Sequence, residues 1–96
     1  MSFGLYFEWD PRKAERNLFK HGVSFGEAST VFNDKLAITV PDPQHSAEKE
    51  RYITVGLSSM QRLLIIAHTD RKDHIRIISA RELTANERKA YEEENF

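Results

Sequence analysis

The sequence predicts an α+β domain of order βααββββα, a mostly antiparallel sheet with its helices on one face. Three features point there. A short aromatic segment runs into two helix-start signals, four strand-like segments lie within residues 36–79, and a capping box opens a C-terminal helix. With 96 residues, 40% of them hydrophobic, the chain has the material for one core, so a single domain over 1–96 is expected.

Leu5-Tyr6-Phe7-Glu8-Trp9 reads as the first strand. Asp10-Pro11 then supplies an N-cap and a proline at the first helical position. The helix they open places Ala14, Leu18 and His21 on one stripe and ends at Gly22, which suits a left-handed cap, giving residues 11–21. Ser24-Phe25-Gly26-Glu27 is a capping box for a second helix over residues 25–32, with Val23 as a hydrophobic staple. Leu36, Ile38 and Val40 alternate as in a half-buried strand, and Pro41 to His45 is a loop. Arg51 to Leu57 is the next strand and Ser58 to Gln61 a turn. Arg62 to Thr69, apolar on both parities, marks a central strand. Asp70 to Asp73 turns the chain into His74 to Ser79, and Thr84-Ala85-Asn86-Glu87 starts the last helix, which carries Tyr91.

Composition narrows the function. Without cysteine there is neither a disulfide framework nor a thiolate metal site, consistent with a cytoplasmic protein. The longest apolar run, Leu63 to Ala67, is too short to span a bilayer, so no membrane association is expected. The net charge of −1 hides an uneven layout: residues 1–81 carry twelve basic against ten acidic side chains, and residues 82–96 two against five. Nucleic acid therefore stays open as a partner. Gly-rich phosphate loops, HExxH and GxSxG are absent. His21, His45, His68 and His74 lack the i,i+4 spacing of a helical metal pair, so neither a metal nor a cofactor is expected.

Arginines are plentiful on the strands: Arg51 and Arg62 at strand starts, Arg76 within one, Arg81 just past its end. They read either as solvated edge charge paired with Glu48, Glu50 or Glu82, or as phosphate ligands. Arg76 shares a face with Ile78, and Arg62 with Leu64, Ile66 and His68, so each guanidinium would need an anionic partner, which a phosphate satisfies. Metal-free RNA cleavage needs a base, an acid and cations for the phosphorane. Lys13, Asn17, Lys20 and His21 recur along one side of the first helix, with Lys13, Lys20 and His21 as proton carriers; His21 reads equally as a helix cap or core filler. Trp9 reads as core or as a base-stacking ring.

The run Phe7-Glu8-Trp9-Asp10-Pro11-Arg12-Lys13-Ala14, Asn17, Lys20-His21-Gly22-Val23-Ser24-Phe25, Ala28 and Phe32-Asn33-Asp34 closely resembles the opening of BrnT-family toxins. The resemblance continues through Glu50-Arg51-Tyr52, Val55-Gly56, Arg62-Leu63-Leu64, Arg76 to Arg81, and Glu87-Arg88 with Tyr91. It implies a RelE-like fold and a metal-independent endoribonuclease that cleaves RNA and stops translation and growth. It also implies neutralisation by a BrnA-type antitoxin with a ribbon-helix-helix DNA-binding part, in a hetero-oligomer that meets operator DNA only through the antitoxin. Carried onto matched positions, the expected catalytic set is Lys20, His21, Arg51, Arg62, Arg76 and Arg81. Lys13 and Asn17, from the helix spacing, and Trp9, from its ring, are the expected RNA contacts. A non-catalytic interaction module that docks a DNA-binding partner is the alternative.

Overall fold

The computed structural model describes residues 6–44 and 50–95. Leu5, His45 and Glu48, named above, lie outside the described residues. The elements run β1 (Tyr6–Glu8), α1 (Pro11–His21), α2 (Phe25–Thr30), a 3-10 turn (Val31–Asn33), β2 (Ile38–Pro41), β3 (Arg51–Leu57), β4 (Leu63–Arg71), β5 (His74–Glu82) and α3 (Ala85–Asn95). The five strands form one sheet in the order β1-β5-β4-β3-β2. β1 is parallel to β5 and every other pairing is antiparallel, as the α+β reading expects.

Local chemistry explains the helix boundaries. The Asp10 carboxylate accepts from Arg12 N at 2.8 Å, Pro11 starts α1, and Gly22 ends it at φ 69°, its N–H donating to Leu18 O. Ser24 Oγ caps α2 by accepting from Glu27 N, but Glu27 does not reach back as a capping box would; its carboxylate turns to Arg62 and Ser58. α2 stops at Thr30 and tightens into the 3-10 turn, shorter than the expected 25–32. At α3 the box is complete: Glu87 N donates to Thr84 Oγ1, and Thr84 N to Glu87 Oε1.

The core lies between one sheet face and the α1–α2 pair, where Val23, Phe25, Ala28 and Val31 meet Leu64, Ile66, Ile77 and Ala80. Burying these side chains is the main stabilising term. Gly56 in β3 is required here, because a Cβ would sit 2.9 Å from both Ala37 Cβ and Val31 Cγ1. The other face is open. Its positions form transverse rows: Arg51–Thr69–Arg76, then Val40–Ile53–Ala67–Ser79, then Ile38–Val55–Ile65–Arg81. The expectation of helices on one face holds for α1 and α2; Glu87, Ala90 and Tyr91 of α3 instead border a groove with Ile38, Val55 and Ile65 on the open face.

Two details place the chemistry. The β4–β5 ladder shifts register between Ala67 and His68, pairing Ala67 with Ser79 and His68 with Ile77. Residues 76 and 81, five apart, would point to opposite faces of a regular strand; the extra residue, Ile78, puts both arginines on the open face. β1 covers only His74 to Arg76 of β5, and α1 lies along the edge beyond. There Asn17 acts as a one-residue strand: its Nδ2 donates to Ala80 O at 2.7 Å and its Oδ1 accepts from Ala80 N at 3.1 Å.

Candidate active site on the open sheet face

The row Arg51–Thr69–Arg76 forms the floor of a cleft of about 430 Å³ that is walled by Lys13 from α1 and by Arg71. Four cations line it against two carboxylates, Glu50 and Asp70. Arg51 Nε and Thr69 Oγ1 are buried there without a hydrogen-bond partner among the described residues, and Arg51 Nε lies 3.5 Å from Asp42 Oδ2, an ion-pair distance. Unsatisfied donors beside excess positive charge favour an anion with several acceptor oxygens. Arg76 is steadied by a bond from its NH1 to Glu8 Oε2 at 3.1 Å.

A second, smaller cleft of about 210 Å³ lies further along the same face, between His21 at the end of α1 and Ile53, Ile65, Ala67, Ser79 and Arg81. Arg81 belongs to β5 rather than following it, and it grips Glu87 of α3 through two bonds of 2.8 and 3.0 Å. That grip, with Thr84 N, holds the Glu87 carboxyl well below its usual range, at about 2, and raises Arg81. Lys13, Arg51, Arg76, Arg81 and His21 therefore share the open face.

Four other expected site residues stand apart. Arg62 precedes β4 and faces α2: Nε and NH2 bind both Glu27 oxygens, NH2 also donates to Gly22 O at 3.0 Å, and NH1 to Glu82 at 3.3 Å. Glu27, almost fully buried, is held below the usual carboxylate range chiefly by the Arg62 hydrogen bond, against the opposing effect of burial. Arg62 thus serves as an anchor between α2 and the sheet. Lys20 lies with Glu15, Arg16 and Phe19 on the outer side of α1, because adjacent helical residues diverge by about 100°. The Asn17 amide is buried and engaged with Ala80 and Val23. Trp9 packs edge-on against Phe25, with ring centroids 5.9 Å apart.

Sequence reasoning missed two groups. Glu8 and His74 meet beside Arg76, with Glu8 Oε1 3.1 Å from His74 Nε2 and Asp73 Oδ1 2.6 Å from His74 Nδ1. Their signal was obscured because Glu8 lies 66 positions from His74 and meets it only through the parallel β1–β5 pairing. On the covered face His68 bonds Thr54 Oγ1 at 2.7 Å and Asp70 at 2.8 Å, lies against Phe32 and Tyr52, and is shifted down by burial. Among the described residues no group of three or more His, Asp or Glu is placed to hold a metal, and no helix is long and apolar enough to cross a membrane.

Residues 9–87 match the family model described as the ribonuclease toxin, BrnT, of type II toxin-antitoxin systems. The 1.1 Å crystal structure of the Brucella abortus ribonuclease toxin BrnT is similar in fold, with a TM-score of 0.66 at 18% identity, over 84% of this chain and 99% of that one. No curated protein sequence matches.

Proposed function

The chain belongs to the BrnT family of ribonuclease toxins of type II toxin-antitoxin systems, and from that premise we propose that it is a metal-independent endoribonuclease whose cleavage of RNA stops translation and growth. The observation that supports this reading is the cleft over Arg51, Thr69 and Arg76, lined by four cations and two carboxylates, where two buried polar atoms have no hydrogen-bond partner among the described residues. A phosphodiester supplies the missing acceptors. Guanidinium groups fixed in advance stabilise the charge that develops on a pentacoordinate phosphorus without reorganising. Arg51 and Arg76 hold the phosphate, Lys13 closes the cleft from α1, and Arg81 extends the cationic track toward His21. Arg62 and Lys20, expected to be catalytic, drop out of this reading because one is bonded into the fold and the other faces away.

Membership of a type II family brings an antitoxin partner. We propose a BrnA-type antitoxin, with a ribbon-helix-helix part that alone meets operator DNA, in a cytoplasmic hetero-oligomer. Its toxin-binding segment covers the arginine-bearing face. The half-buried Ile53, Val55, Ile65 and Ala67 between the arginines support that placement, since an apolar strip of this kind gains from being covered. The test is RNA cleavage by the purified, antitoxin-free protein in excess EDTA, alongside growth and translation rates after induction. Cleavage in EDTA with arrested translation is expected. Activity that appears only with an added divalent ion refutes metal independence, and intact RNA under both conditions refutes the ribonuclease reading.

A further inference from the structure

We propose that Glu8 and His74 are the proton-transfer pair of this site, Glu8 as the base for the 2′-hydroxyl and His74 as the acid for the leaving 5′-oxygen; the proposal rests on the RNA-cleavage reading above. The parallel register sets Glu8 beside Arg76 and Tyr6 beside His74, so both groups adjoin the arginine row. Arg76 NH1 donates to Glu8 Oε2 at 3.1 Å, while Glu8 Oε1 lies 3.1 Å from His74 Nε2. Asp73 contacts Nδ1 at 2.6 Å, which fixes the ring and aims Nε2 at Glu8. Both side chains are about one-third exposed, at 33% and 38%, so a ribose and phosphate can reach them. His21 compares poorly. It sits by Ile53, Ala67 and Ser79, one same-face step or about 7 Å further along the strands, and has no orienting carboxylate among the described residues.

The step balances within these residues. The 2′-oxygen forms a bond to phosphorus as its proton passes to the Glu8 carboxylate. The P–O5′ bond breaks as the His74 imidazolium gives its Nε2 proton to O5′, leaving a 2′,3′-cyclic phosphate and a 5′-hydroxyl end. Glu8, now protonated, and His74, now neutral, exchange the proton back across their 3.1 Å contact, which resets the pair without an outside acid or base.

The test compares RNA with the four nucleoside 3′-(4-nitrophenyl) phosphates, whose leaving group departs without being protonated. Wild type, Glu8→Gln, His74→Asn and His21→Asn are each checked for a cooperative urea transition; Glu8→Asp and His74→Gln are the second variants where one is lost. Glu8→Gln is expected to lose roughly 100-fold or more on both substrates, with part of the rate returning in Glu8→Asp. His74→Asn should lose as much on RNA yet stay within about tenfold of wild type on the aryl esters. A merely structural role would not separate the substrates. The proposal is overturned if Glu8→Gln and His74→Asn cleave RNA within about tenfold of wild type, if His74→Asn loses equally on both substrates, or if His21→Asn shows the aryl-ester rescue. In those cases the RNA-cleavage reading stands. A folded wild type that cleaves neither substrate removes that reading, and the pair with it.

Discussion

Glu27→Gln tests the structural assignment of Arg62. The Glu27 carboxylate, its side chain 5% exposed, binds Arg62 through both oxygens and accepts from Ser58 Oγ at 2.7 Å. Fully buried ion pairs that lose one partner cost about 3–5 kcal/mol. Here Arg62 is 27% exposed and keeps Glu82 and Gly22 O, so part of its charge is re-solvated. A loss of about 2–4 kcal/mol follows, or roughly 10–25 °C in Tm for a domain of this size. The loss depends on pH. Because the folded-state Glu27 carboxyl is held below its ordinary value of about 4.5, its contribution is complete above that pH and disappears as pH falls through the folded value. Urea unfolding from pH 7 to pH 3 should therefore show a shallower acid decline in Glu27→Gln than in wild type. Arg62→Lys should destabilise while leaving single-turnover cleavage by the folded fraction within a few-fold of wild type. The assignment is refuted if Glu27→Gln costs less than about 1 kcal/mol, or if Arg62→Lys abolishes cleavage at unchanged stability.

The remaining expectations concern the sheet. Asn17→Ala leaves Ala80 and Val23 backbone groups without their buried partner and should cost about 2–3 kcal/mol in chemical denaturation. Gly56→Ala forces a Cβ against Ala37, Val31 and Asp34 Oδ2, a strain of about 1–3 kcal/mol visible as a lowered Tm. His68, shifted down by burial, takes up its proton at lower pH in the fold than in the unfolded chain, so stability should begin to fall as pH drops below about 6.5; a ¹H–¹⁵N titration reads its ionisation directly.

What was legible in the sequence is what is encoded locally. Asp10-Pro11, Ser24, Gly22 and Thr84 set helix ends by contacts within four residues, and those ends fall where their chemistry puts them. The capping box at Ser24 and Glu27 is the exception. Glu27 serves a partner 35 residues away rather than its own N-cap, and no local pattern distinguishes those uses. Site geometry was harder to read because it depends on pairing between distant segments. The register shift at Ala67 and His68 decides that Arg76 and Arg81 share a face, and alternation alone assigns them to opposite ones. Arg62 looked like the equal of Arg76 from its apolar neighbours, yet it lies outside β4, where the covering helix supplies its counter-ion. Glu8 reads as one polar residue in an aromatic strand until β5 brings His74 and Arg76 beside it.

The measurement that bears most directly on the central claim is the single-turnover rate of RNA cleavage in EDTA by wild type, Arg51→Ala, Arg76→Ala and the double variant. If these arginines hold the reacting phosphate, each single change lowers the rate by roughly 100-fold or more, and the double variant falls by less than the product of the two, because they act on one group. Cleavage within about tenfold of wild type in the folded double variant would contradict an active site on the open sheet face.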